Sequence, residues 1–124
     1  MERPFAALRD RYSLSRELGA GGMATVYLGR HRETGLEAAV KMLPPALARQ
    51  EGFVERFARE VESMQRLSNP HIVKFYEAGE DTEHETYYYA MEYVRGETLT
   101  HLIRREKKLP WQQAVEIAIQ VCRA

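Results

Sequence analysis

Lys41 lies within a six-residue apolar run, Ala-Ala-Val-Lys-Met-Leu at residues 38–43, where its ammonium could bind an anionic group. Lysine is rarely buried unless an anion pairs with it. If the run is a strand, Ala39, Lys41 and Leu43 share one face, and the other three residues share the opposite face. The ammonium then needs an anionic partner. The alternative is a lysine whose stem packs on the sheet while its ammonium reaches water.

Glu60 is the carboxylate that could form an ion pair with this lysine. An amphipathic helix is predicted for residues 52–67, because apolar residues recur there at spacings of three and four. These residues are Phe53, Phe57, Val61, Met64 and Leu67. At about 100° per residue, Glu60 falls about 60° from Phe57, inside the apolar stripe. The spacing therefore predicts a Lys41–Glu60 ion pair between strand and helix. Such a pair could also be purely stabilising, and Glu60 could be an edge residue that reaches solvent.

A glycine-rich turn precedes the lysine run. The sequence reads Leu18-Gly19-Ala20-Gly21-Gly22-Met23-Ala24-Thr25-Val26. Glycines let backbone amides approach a ligand closely, and successive amides can surround phosphate oxygens. An ordinary flexible hairpin is the alternative. A dinucleotide-binding turn would open into a helix, but residues 25–28 are typical of a strand, and the Gly-Lys-Ser/Thr of a P-loop is absent.

Five short strands and three helices are predicted to position these groups. The strands cover residues 12–18, 25–28, 37–43, 72–76 and 86–93, with a polar turn at 77–83. The helices cover residues 52–67, 99–105 and 111–124. Strands with one helix inserted after the third predict an α+β fold with a five-stranded, mostly antiparallel sheet and one packed helix, followed by two further helices.

Composition excludes several classes of function. The chain has 124 residues with 18 basic and 18 acidic side chains, so no overall field attracts nucleic acid or a membrane surface. One cysteine and four scattered histidines offer neither a disulfide framework nor a metal cluster, which fits a reducing compartment. No signal peptide is recognised and no apolar run approaches the roughly 20 residues of a membrane span. A cytoplasmic location is therefore expected.

The glycine-rich turn is followed by the strand that contains Lys41 and then by the helix that contains Glu60. This order resembles the protein kinase family, especially its bacterial serine/threonine members. The family's G-x-G-x-x-G-x-V turn aligns with residues 19–26, where Ala24 replaces the third glycine. Its Val-Ala-Ile-Lys aligns with residues 38–41, and its helix glutamate aligns with Glu60. Residues 69–73 (Asn-Pro-His-Ile-Val) and 91–94 (Met-Glu-Tyr-Val) are similar to the segment after that helix and to the hinge.

The resemblance implies a role for each of these residues. Lys41 would contact the α- and β-phosphates of ATP and be held by Glu60, and the amides from Gly19 to Ala24 would cover the phosphates. Leu18, Val26 and Ala39 would enclose the adenine. Met91 would be the gatekeeper that limits the depth of the adenine pocket, and backbone groups of Glu92 and Val94 would bind the adenine edge. Met64 and Phe75 would belong to an apolar stack that fixes the helix.

The family's catalytic His-Arg-Asp…Asn and metal-binding Asp-Phe-Gly motifs do not occur in the sequence. We therefore expect a lead-in (residues 1–11), an amino-terminal kinase lobe (12–94) and the start of a second lobe (95–124). The Mg²⁺ ligands are expected beyond Ala124. The parent protein would phosphorylate serine or threonine in a protein substrate, whereas this chain alone would be inactive. The first alternative is a non-catalytic lobe, pseudokinase-like or dimerising, that works by contact and could form a homodimer. The second is a plain interaction domain.

Overall fold

The computed structural model describes residues 6–21 and 24–124. Within them, one mixed sheet has the strand order β1-β5-β6-β4-β3-β2. Its strands are β1 (Ala6–Ala7), β2 (Tyr12–Gly21), β3 (Ala24–His31), β4 (Glu37–Met42), β5 (Phe75–Asp81) and β6 (Thr86–Glu92). The five longer strands pair antiparallel, as the sequence predicted, and the two-residue β1 adds a parallel pairing to β5. The α+β prediction is confirmed.

The five helices within the described ranges have very different lengths. Two single-turn helices, α1 (Leu8–Arg11) and α2 (Pro45–Ala48), flank the sheet strands. The longer helices are α3 (Phe53–Gln65), α4 (Leu99–Glu106) and α5 (Trp111–Arg123). Helix α3 ends two residues before the predicted limit, and Leu67, which was assigned to its apolar stripe, lies beyond the helix and is exposed.

The two faces of β4 pack against different clusters, as the alternation of its side chains predicted. Ala38 and Val40 are buried in a cluster that also contains Leu8, Tyr12 and Tyr88. Leu43 lies in the other cluster, where α3 covers the sheet. Residues of the predicted lead-in therefore contribute to the first core, through the buried side chain of Leu8.

Helix α3 is held on its face of the sheet by aromatic packing. Phe53, Phe57 and Val61 are its buried residues. The Phe57 ring lies 5.0 Å from the rings of both Tyr87 and Tyr89 on β6, measured between centroids. Aromatic pairs at such separations add to the free energy of burial. This packing fixes the height of α3 above β6 and β4.

The predicted boundaries of the fourth strand are wrong. Residues 72–76 were predicted as strand and 77–83 as a polar turn, but β5 runs from Phe75 to Asp81 and the turn follows it. Polar residues belong to this strand because each has a partner. The Glu77 carboxylate accepts two hydrogen bonds from Arg11, and Asp81 accepts from the backbone N–H groups of Glu83 and His84.

Residues 68–73 and 94–124 form a second compact unit. Helix α4 begins after Thr98, whose hydroxyl accepts a hydrogen bond from the N–H of His101. Such an N-cap stabilises a helix by about 1 kcal/mol. Helix α5 exposes several large apolar side chains: Trp111, Val115, Ile119 and Val121. Among the described residues, no helix has the length and apolar character that spanning a membrane requires.

We expect Gly29→Ala to destabilise the chain, because β3 approaches its neighbours closely there. A Cβ on Gly29 would lie 2.9 Å from Val40 Cγ2 and 3.2 Å from Leu14 Cδ2. Overpacking of this kind costs about 1–3 kcal/mol. Urea denaturation of the variant measures the loss. Gly19→Ala is the matched control, since a Cβ there meets no atom within 4 Å; equal stability of the two variants would contradict the prediction.

Candidate functional site

One row of residues crosses four strands and contains both the lysine and the start of the glycine turn. Gly19 pairs with Val26, Val26 with Lys41, and Lys41 with Tyr89. Residues paired across neighbouring strands point to the same face of a sheet. The α3-side cluster contains Leu43 and Tyr89, so the Lys41 side chain also lies on the α3 face. The half-buried lysine therefore stands on this face next to the glycine turn.

The predicted Lys41–Glu60 ion pair is not formed. The Glu60 carboxylate instead accepts a hydrogen bond from the Tyr89 hydroxyl, with Oη and Oε2 3.2 Å apart. In the part of the chain that the structure describes, Lys41 forms no ion pair with any carboxylate. Glu60 is also exposed and not on the core face. The reason is that the buried side of α3 is centred on Phe57 and Val61, so Glu60 lies at its edge.

Tyr89 holds its position because both ends of the side chain have partners. Its ring packs against Phe57 at 5.0 Å and against Phe75 at 6.3 Å between centroids. Its hydroxyl donates to Glu60. Burial, together with the negative charge of Glu60, raises the pKa of Tyr89 to about 12. The hydroxyl is therefore a neutral hydrogen-bond donor throughout the physiological range.

The glycine turn is described on its two arms only. Gly19 pairs with Val26, Ala20 with Thr25 and Gly21 with Ala24, and a register shift between Glu17 and Gly19 leaves Leu18 without a paired residue. Gly22 and Met23 lie outside the described residues. The open space beside Gly19 shows that no neighbour within the described chain requires a glycine there. Close approach of a ligand to the backbone is a physical reason for its presence.

Three of the residues assigned to the adenine pocket, Val26, Ala39 and Met91, lie next to Lys41 on the same face. Ala39 pairs with both Leu28 and Met91 across the neighbouring strands. Val26, Ala39 and Met91 are half-buried, as is Leu18. This arrangement gives the α3 face an apolar surface beside the ammonium.

Two residues assigned to the adenine edge lie in different units. Glu92 ends β6, and its N–H already donates to the carbonyl of Lys74 at 2.8 Å. A backbone hydrogen bond between Glu92 and a ligand therefore uses the carbonyl oxygen of Glu92. Val94 belongs to the second unit and is exposed. Of the predicted stack, Met64 and Phe75 both pack against the α3-side cluster.

Sequence reasoning missed Tyr89 as a residue of this site. The predicted strand at residues 86–93 had aromatic side chains on both faces, and nothing local distinguished one tyrosine from another. The available signal was the period of two that places Tyr89 on the same face as Met91. Its pairing with Lys41 depends on the register between β4 and β6, which only the folded chain provides.

A cavity lies away from Lys41, on the Met42 side of the sheet. It has a volume of about 680 Å³ and is lined by residues that include Leu8, Tyr12, Tyr27 and Met42. Asp81, Glu83 and His84 at its edge are close enough together to hold a metal ion. The Asp81 carboxylate already accepts two backbone hydrogen bonds and lies 2.6 Å from His84 Nδ1.

The buried Tyr12 and Tyr88 and the half-buried Tyr89 predict a loss of stability at alkaline pH. Burial raises the pKa of Tyr89 to about 12 and also raises those of Tyr12 and Tyr88. In the unfolded chain each loses its proton near pH 10. Above about pH 10 the unfolded chain therefore binds fewer protons, and the free energy of unfolding falls as the pH rises. Urea denaturation between pH 8 and 11.5 measures this. Tyr88→Phe should reduce the fall, and an unchanged slope would contradict the assignment.

Comparisons with known proteins show which family and which relatives this chain is similar to. The protein kinase domain family matches residues 12–124. The serine/threonine-protein kinase PknB of Mycobacterium leprae is 40% identical over 119 residues, covering 94% of this chain and 19% of that protein. PrkC of Bacillus subtilis, also a serine/threonine-protein kinase, is 40% identical over 117 residues, covering 94% and 18%. The PknI kinase domain of Mycobacterium tuberculosis superposes with a TM-score of 0.77 at 34% identity, covering 94% of this chain and 46% of that one.

The chain belongs to the protein kinase family. Its sheet and α3 correspond to the amino-terminal lobe of that fold, and the resemblance seen in the sequence is confirmed. The chain spans about a fifth of the length of the curated relatives it matches.

Proposed function

We propose that this chain is the nucleotide-binding part of a serine/threonine protein kinase, which transfers the γ-phosphoryl group of ATP to a hydroxyl of a protein substrate. The observation that supports this most is the row from Gly19 through Val26 and Lys41 to Tyr89. It places a cation, a glycine turn and an apolar surface on one face, which suits a triphosphate attached to a flat base.

Each part of the ATP molecule has a proposed partner. The Lys41 ammonium contacts the α- and β-phosphates, and Glu60 is the carboxylate that orients it. The backbone amides of the turn cover the phosphates; the residues are Gly19, Ala20, Gly21, Gly22, Met23, Ala24 and Thr25. The adenine lies between Leu18, Val26 and Ala39, with Met91 at the back of the pocket. The carbonyl of Glu92 and the backbone of Val94 bind its edge.

Catalysis by the parent protein needs groups that this sequence does not contain. In the family, Mg²⁺ bridges the phosphates and an aspartate accepts the proton of the substrate hydroxyl. The motifs that carry these groups are not in this sequence. We therefore assign no metal ligand and no catalytic base to this chain, and we propose that the chain alone binds Mg·ATP weakly without transferring phosphate. We also propose a cytoplasmic location, where ATP is available.

Titration of the ¹⁵N-labelled chain with Mg·ATP, followed by NMR, tests this proposal. We expect the largest chemical-shift changes at Gly19, Val26, Lys41 and Met91. Ala38 and Val40 point to the opposite face and serve as internal controls. A titration without shifts, or with its shifts confined to the Met42 face, would overturn the proposal. Transfer of phosphate to a generic protein by the purified chain would contradict its proposed inactivity.

A homodimer remains the competing proposal for how the chain acts. Sedimentation equilibrium distinguishes the two. A stable dimer whose thermal unfolding does not respond to Mg·ATP would favour a lobe that works by contact alone. A monomer whose melting temperature rises with ATP concentration would favour nucleotide binding.

A further inference from the structure

Tyr89 and Lys41 are neighbours on the paired strands β6 and β4. Their Cα positions are paired between β4 and β6, and both side chains lie on the α3 face. Side chains at paired positions begin about 5 Å apart at Cβ. The Tyr89 side chain reaches α3, where its hydroxyl contacts Glu60.

Among the described residues, only Tyr89 forms a hydrogen bond or ion pair with the Glu60 side chain. The Tyr89 hydroxyl lies 3.2 Å from Glu60 Oε2, whereas Glu60 and Lys41 form no ion pair. The tyrosine ring is fixed between Phe57 and Phe75, so its hydroxyl cannot follow the carboxylate far. A Glu60 carboxylate that moved towards Lys41 would have to leave this donor.

We propose that Tyr89 is a positioning residue that competes with Lys41 for Glu60, so that its hydroxyl retains the carboxylate in the nucleotide-free chain. This inference rests on the proposed function, in which Glu60 orients Lys41 towards the phosphates. Binding of Mg·ATP then includes the exchange of the Tyr89–Glu60 hydrogen bond for a Lys41–Glu60 ion pair. The free energy of that hydrogen bond opposes nucleotide binding.

Tyr89→Phe removes the hydroxyl and keeps the ring that packs against Phe57 and Phe75. We expect Mg·ATP to bind this variant about 3- to 10-fold more tightly, the range for loss of one opposing hydrogen bond. In a Glu60→Ala background the same substitution should leave the affinity unchanged, because Tyr89 acts through that carboxylate. This double-mutant cycle separates the effect of the Tyr89 hydroxyl on Glu60 from an effect of Tyr89 on packing, since a packing effect would persist without Glu60.

A second readout does not depend on nucleotide. Burial and the negative charge of Glu60 both raise the pKa of Tyr89, so Glu60→Ala should lower this pKa in a spectrophotometric titration of that tyrosine. The proposed competition between Tyr89 and Lys41 is overturned if Mg·ATP binds Tyr89→Phe no more tightly than it binds the unsubstituted chain. It is also overturned if the substitution has equal effects on affinity with and without Glu60. In either case Lys41-dependent binding remains. Absence of binding in the unsubstituted chain, or equal binding by Lys41→Met, overturns the proposed function as well.

Discussion

Mg·ATP should bind Lys41→Met about 10- to 100-fold more weakly than the unsubstituted chain. The substitution keeps much of the apolar stem and removes the ammonium that we propose contacts the phosphates. Hydrogen bonds to charged groups contribute about 1.5–3 kcal/mol, which corresponds to this loss of affinity. The same NMR titration measures the dissociation constant of each chain.

The free energy of unfolding of Lys41→Met without nucleotide distinguishes a loss of nucleotide affinity from a loss of stability. Lys41 has no ion pair among the described residues, so its replacement leaves no buried carboxylate unpaired. We therefore expect less than about 0.5 kcal/mol change in the free energy of unfolding without nucleotide. Lys108→Met is the matched control, since Lys108 is exposed and lies on the connection between α4 and α5. Equal affinities of the Lys41 and Lys108 variants would contradict the role of Lys41.

Phe57→Ala should lower the free energy of unfolding by about 3–5 kcal/mol, the range for removal of a buried phenylalanine. The side chain is 2% exposed and contacts the rings of Phe53, Tyr87 and Tyr89. Its loss would leave a cavity under the middle of α3. Because Tyr89 then loses its main ring contact, we also expect weaker ordering of the Tyr89–Glu60 hydrogen bond. Urea denaturation measures the stability.

Leu67→Ala is the control for this second prediction. Leu67 was assigned to the same apolar stripe from the sequence, but it is 59% exposed and lies outside α3. Its truncation should change the stability by no more than about 0.5 kcal/mol. A similar loss in both variants would show that the buried side of α3 extends further than the described packing.

Much of this fold could be predicted because its signals are local. The apolar run around Lys41 predicted both faces of β4, and the structure places Val40 in one cluster and Leu43 in the other. The spacing of Phe53, Phe57 and Val61 predicted the buried side of α3. The limits of β5 could not be predicted, because its polar residues belong in a strand only when Arg11 and the following turn supply their partners.

By itself, the sequence determined the family, through the resemblance of its ordered motifs to protein kinases. It also determined the face on which Lys41 lies, because the period of two within one strand decides that face. Only the tertiary structure decided which group holds Glu60. That outcome depends on the register between β4 and β6 and on the height of α3 above them. Packing between residues about 30 or more positions apart in the sequence sets the register and the height. The carboxylate at the edge of α3 then binds the donor that this packing brings closest.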